Sequence, residues 1–86
     1  MTKPTPNPFL FDNPAIYQIC VQGVIASGWA DRLEGMALSV SHPVDAPPVT
    51  TLVGELVDQA ALTGVLNTLY NMHLPVLSVI RMADVV

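Results

Sequence analysis

Cys20, His42 and His73 are the side chains of this sequence best suited to nucleophilic chemistry. A thiol becomes a catalytic nucleophile when a base lies within hydrogen-bond reach and a third group orients that base. Nothing beside Cys20 in the chain supplies either. His42 precedes Pro43 and reads as a turn residue. His73 falls near a helix end, where an imidazole interacts favourably with the last carbonyls. Two histidines and one cysteine lack the spacing of a metal-ligand set. Acid–base work needs two carboxylates brought together. Asp31 and Glu34 are three apart and could share one face of a turn, but a solvated surface turn explains them as well. Gly23 and Gly28 are isolated, and Gly35 precedes a strand, so no phosphate-cradling loop is present. The expectation is no catalytic residue, no metal and no cofactor.

Composition narrows the choice further. The 86 residues form one domain, 51% hydrophobic and only 12% charged, where about 25% charged is usual. High hydrophobicity with little charge decides against intrinsic disorder. It also implies that some surface is not made to face water. Net charge is −4, and Lys3, Arg32 and Arg81 are the only Lys or Arg residues. Three scattered cations make no basic patch, so nucleic acid is not an expected partner. No apolar run approaches the roughly 20 residues of a membrane span. The stretch "MTKPTPNPFLFDNP" has no continuous apolar core of signal-peptide length, so a cytoplasmic location is expected. Cys20 is the single cysteine, which rules out an internal disulfide.

The elements follow from pattern. Residues 1–14 hold four prolines and read as an extended arm carrying Phe9-Leu10-Phe11. One domain over 15–83 and a tail over 84–86 follow. "IYQICVQGVI" alternates and is rich in β-branched residues, which predicts a strand. Tyr17, Ile19, Val21 and Ile25 share one face; Gln18, Cys20, Gln22 and Val24 share the other. "ASGWADRLEG" is a break in which Ser27 could cap a short turn through Trp29 to Leu33. Trp29 reads as a lid over the core edge. "MALSVSH" is a second strand and "VTTLVGELV" a third, joined as a hairpin with a longer loop. Thr50, Leu52 and Leu56 are expected inward, and Thr51, Val53 and Glu55 outward.

Asp58 is a good N-cap. Leu62, Val65, Leu66, Leu69 and Met72 then form one helical stripe. Gly64 costs helix stability of about 1 kcal/mol relative to Ala, and close approach to the sheet would explain it. Pro75 stops the helix, and "PVLSVIRM" reads as a buried last strand. The order is strand, rudimentary helix, strand, strand, helix, strand. That predicts an α+β, ferredoxin-like β-α-β-β-α-β fold with a four-stranded antiparallel sheet and one long helix on one face.

The residues "YQICVQGVI", "GWADRLEGMALS" and "TTLVGELVDQAALTGVLNTLYNMHLPVLSV" resemble a group of small, uncharacterised bacterial proteins. The likeness runs over residues 16–80 and is most specific in "DQAAL" and "LPVLSV". It implies a domain type and no activity. The group usually has His at the position of Thr63, charged residues at Thr68, Tyr70 and Asn71, and often Gly at His73. Polar or charged residues are usual at Cys20 and Ile80. These departures run toward less charge on the helix and on the open sheet face.

The expected function is therefore a non-catalytic interaction module that self-associates as a homo-oligomer. Its contact would be the open sheet face: Gln18, Cys20, Gln22, Ala37, Ser39, Thr51, Val53, Ser78, Ile80 and Met82. Tyr70, with the neutral helix face around it, is a second candidate contact. The alternative is a cofactor-free enzyme or a binder of a small apolar ligand, with a cavity between subunits bordered by Trp29, Cys20 and Gln18.

Overall fold

The computed structural model describes residues 14–84. The arm with Phe9-Leu10-Phe11 lies outside the described residues. Strand β1 (Ala15–Gln22) leads to a 3-10 helix, η1 (Ser27–Leu33). Strands β2 (Ala37–Ser41) and β3 (Val49–Leu56), helix α1 (Gln59–Asn71) and strand β4 (Val76–Asp84) follow. The sheet order is β2-β3-β1-β4, with every neighbouring pair antiparallel. This is the ferredoxin-like order, with its first helix reduced to η1.

Alternation along β1 separates the two sheet faces. Ala15, Tyr17, Ile19 and Val21 are buried, while Gln18, Cys20 and Gln22 are half-buried on the other side. Cross-strand partners share a face. Ile19 stands opposite Leu52 and Val79, so these define the helix side. Leu62, Val65 and Leu69 of α1 complete the core with Leu33, Met36, Leu52 and Leu56. No helix among the described residues is long and apolar enough to cross a membrane.

Two glycines shape this core, and Gly64 is not one of them. A Cβ at Gly64 would meet nothing within 4 Å, and the residue is exposed. Gly54 is the one that permits close approach. It faces the helix side opposite Tyr17, and a Cβ there would come within 3.1 Å of the Met36 Cα. Gly23 ends β1 with φ of 120°, a conformation that L side chains rarely adopt.

The corner after β1 is held by one buried hydroxyl. Thr50 Oγ1 accepts from the Ile25 N–H at 3.2 Å and donates to the Gly23 carbonyl at 2.7 Å. The Gln22 N–H donates to the Pro75 carbonyl, and the Gly23 N–H to the Pro48 carbonyl. The ends of β3 and β4 are thereby tied to the exit of β1. Ser27 does not cap η1: Ala26 is the cap residue, and no side chain caps that end.

Helix α1 starts and stops by local chemistry. Asp58 Oδ1 accepts the Ala61 N–H at 2.8 Å, satisfying a first-turn donor. At the other end the Leu74 N–H donates to the Leu69 carbonyl and the His73 N–H to the Tyr70 carbonyl. That pairing is a Schellman motif. It puts His73 at φ 59°, where glycine normally stands. His73 is therefore placed by backbone closure.

Last strand β4 departs from the buried strand its composition predicts. It forms the sheet edge, and Val76, Leu77, Val79, Ile80 and Met82 are 42–55% exposed. Register shifts against β1 fall between Ile16 and Tyr17 and between Cys20 and Val21. They leave Met82 and Leu77 without β1 partners.

Two stability tests follow from these contacts. Thr50→Val keeps the shape but strands a buried N–H and a carbonyl, so it should cost about 1–3 kcal/mol. Urea denaturation should show a lower midpoint with an unchanged slope. His73→Gly should raise stability by about 1–2 kcal/mol by relieving the left-handed backbone, since the imidazole is exposed. An unchanged or lower melting temperature would refute that account.

Candidate functional site

The open face of the sheet presents residues from all four strands. β1 contributes Gln18, Cys20 and Gln22, and β3 contributes Thr51 and Val53. β2 adds Ala37 and Ser39, and β4 adds Ser78 and Ile80. Their positions follow from the register: Cys20 lies between Thr51 and Ser78, and Gln18 between Val53 and Ile80. Ala37 and Ser39 continue the rows of Val53 and Thr51. No helix covers this side, because α1 and η1 both lie with the core. Met82 is set apart from the rows by the register shift. Tyr70 is on the outer side of α1, 77% exposed.

Cys20 sits at the middle of this face, where three side chains converge on its sulfur. The Thr51 hydroxyl is 3.7 Å from Sγ, and Gln18 Nε2 donates to Sγ at 3.9 Å. Hydrogen bonding by Ser78, then Thr51, favours the thiolate and holds the Cys20 thiol below its usual range. Gln18 acts in the same direction, and desolvation opposes them. The donors come from β4, β3 and β1, so the cluster exists only once the strands pair. Within one strand the sequence shows only Gln18 beside Cys20.

Other candidates are dispersed. Trp29 packs against the helix-side core, with the Arg32 guanidinium 5.0 Å from its ring centroid. Gln18 and Cys20 are on the opposite face, so one protomer does not bring these three together. His42 stands between β2 and β3, and His73 closes α1. The groups acting on the thiol are Ser78, Thr51 and Gln18. Among the described residues no group of three His, Cys, Asp or Glu is placed to hold a metal ion.

The pH dependence has a definite sign. A lowered thiol pKa enlarges the thiolate fraction at any pH below the ordinary midpoint, near about 8.5 for a free thiol. Alkylation of Cys20 by iodoacetamide should show its midpoint below that value. Removing the strongest donor with Ser78→Ala should move the midpoint upward and slow reaction at neutral pH. A midpoint unmoved by this change would mean that Ser78 does not stabilise the thiolate.

Comparison with known proteins adds one finding. A family model described as a domain of unknown function (DUF8691) matches residues 16–80. No curated protein and no solved structure matches the chain.

Proposed function

The chain belongs to the family of the domain of unknown function DUF8691, and we propose that it is a small non-catalytic interaction module that self-associates through its open sheet face. What carries the reading is the uncovered face itself, which has Ile80 and Val53 exposed among small and neutral side chains. Gln18, Cys20, Gln22, Ala37, Ser39, Thr51, Val53, Ser78 and Ile80 are all uncharged, and the charged residue of the face, Glu55, stands at its end opposite Ile16. An open apolar patch on a small domain ordinarily marks an interaction site. Two such faces stacking would make a sandwich about 10 Å thick. A small domain gains stability from the added burial.

A second reading has one observation in its favour. Hydrogen bonds from Ser78 and Thr51 favour the thiolate of Cys20, the form that a cofactor-free enzyme with a site between subunits would use. The carboxylate of the open face, Glu55, stands opposite Ile16, four residues along β1 from Cys20 and so out of reach as its base, which makes the interaction module the better account.

Sedimentation at about 100 µM, chosen to detect affinities of order −6 kcal/mol or stronger, should give a species larger than one 9.2 kDa chain. Cys20→Arg should reduce it, because a buried unpaired cation costs several kcal/mol. Val53→Lys should do the same from a neighbouring strand. A folded wild-type chain sedimenting as a single chain would sink the proposal.

A further inference from the structure

We infer that Phe9-Leu10-Phe11, which lies outside the described residues, seats on the helix side of β4 in its own chain and extends the layer that α1 begins. This contact is independent of the sheet-face contact, since it lies on the opposite side of the sheet.

The surface comes from a shortfall of cover. Four strands at about 4.8 Å spacing make a sheet roughly 19 Å wide. One helix is about 10 Å across. A second helix would make up the difference, and here it is reduced to η1. η1 packs against α1 and β2, and α1 reaches β3, so the helical layer is drawn toward the β2 margin. β4 is at the other margin. The consequence shows in cross-strand pairs. Ile19 and Val21 are fully buried, whereas their partners Val79 and Val76 are each 42% exposed on the same side. Arg81, opposite Tyr17, is half-buried beside them.

The arm fits this gap by content and by attachment. Phe9 and Phe11 are the only phenylalanines of the chain, so the core is built without one. An aromatic side chain buries roughly 150–250 Å², and apolar groups clustered this closely ordinarily find a surface. The arm joins β1 at Ala15, which pairs with Asp84 at the end of β4. It therefore leaves the sheet directly beside that strand. Val79 stands four rungs along from Ala15, opposite Ile19, or about 13 Å at about 3.3 Å per residue. Phe9 is six residues before Ala15, a reach of about 20 Å. Asn13-Pro14 is a turn-forming pair at the point where the chain must change direction.

Attachment also favours the arm over a separate partner. A segment tethered by a short linker is present at an effective concentration in the millimolar range. Asp12 follows Phe11 and brings a carboxylate toward Arg81, and an aromatic face is itself favourable against a guanidinium. The mode of docking follows from the prolines. Pro4, Pro6 and Pro8 lack the N–H that a ladder needs. The register shifts of β4 bend its edge away from straight pairing. The arm thus binds through side chains over the face of β4 and adds no fifth strand.

The test is nuclear magnetic resonance of the full chain. Cross-relaxation between the Phe9 or Phe11 ring and the Val79 methyls is expected. It should be equally strong at low and high concentration, and in Cys20→Arg, which leaves this side of the sheet untouched. Phe9→Ala with Phe11→Ala, and separately Val79→Ala, should each lower the melting temperature, with folding checked by circular dichroism. The combined variant should lose less than the sum of the two decreases, because residues in contact are not additive. Absence of the ring–methyl signal, or additive losses, overturns the docking. Signal seen only between labelled and unlabelled chains in a mixed sample makes a second copy's arm the occupant and overturns the assignment to the same chain. None of these outcomes depends on self-association, so a wild type that sediments as a single chain refutes the sheet-face reading and leaves this one standing.

Discussion

The Thr50 hydroxyl holds the corner on which the sheet depends. It is the one buried polar side chain in the core of the described residues, and both of its hydrogen bonds serve backbone freed when β1 stops. Without it the Ile25 N–H would be buried without this partner, and Ile25 could not be carried into the core so cheaply. The same corner receives the starts of β3 and β4 through Pro48 and Pro75. Leu74 lies over Gly23 so closely that a Cβ there would come within 2.7 Å of its Cδ2. Register across β3, β1 and β4 is therefore set at one end of the sheet, and the position of Cys20 between Thr51 and Ser78 follows from it.

Much of this architecture is legible in the sequence because local chemistry and tertiary packing agree. The alternation of "IYQICVQ" separates the core from the open face, and Asp58 begins α1 as its carboxylate chemistry demands. Other features depend on what crosses the sheet, which local pattern cannot report. Gly64 and Gly54 look alike in the chain, but only Gly54 lies beneath Met36. An apolar run such as "VLSVI" reads as buried; topology places it at an edge. The donors around Cys20 come from strands distant in the chain, so the thiol reads as inert until the register is known. Trp29 and Cys20 fall on opposite faces because η1 follows the core side, which a residue list does not encode.

The scarcity of charge now has a location. Helix α1 contains no charged residue from Gln59 to Asn71, and its outer side presents Tyr70 with neutral hydrogen-bonding neighbours. The open sheet face is neutral except for Glu55, opposite Ile16 near the end of β3. Among the described residues charge is otherwise kept to the segment around η1, the turns and the later half of β4, at Asp31, Arg32, Glu34, Asp45 and Asp58 and at Arg81 and Asp84. Such a distribution leaves two broad surfaces, the outer side of α1 and the open face away from Glu55, on which desolvation costs little, since no ion there must lose its water. The thiol is the one chemically distinctive group on either surface.

The two register shifts in β4 have a consequence for fibril formation. A straight, apolar strand edge is a template that can recruit copies without limit, as cross-β stacks do. Each extra residue in a strand bends it and sharpens its twist. With Leu77 and Met82 both out of register against β1, only the short run from Ser78 to Arg81 keeps unbroken pairing with β1. A flat, in-register stack needs a longer regular segment, typically about six residues. The bends thus deny this margin the uniform geometry from which amyloid grows.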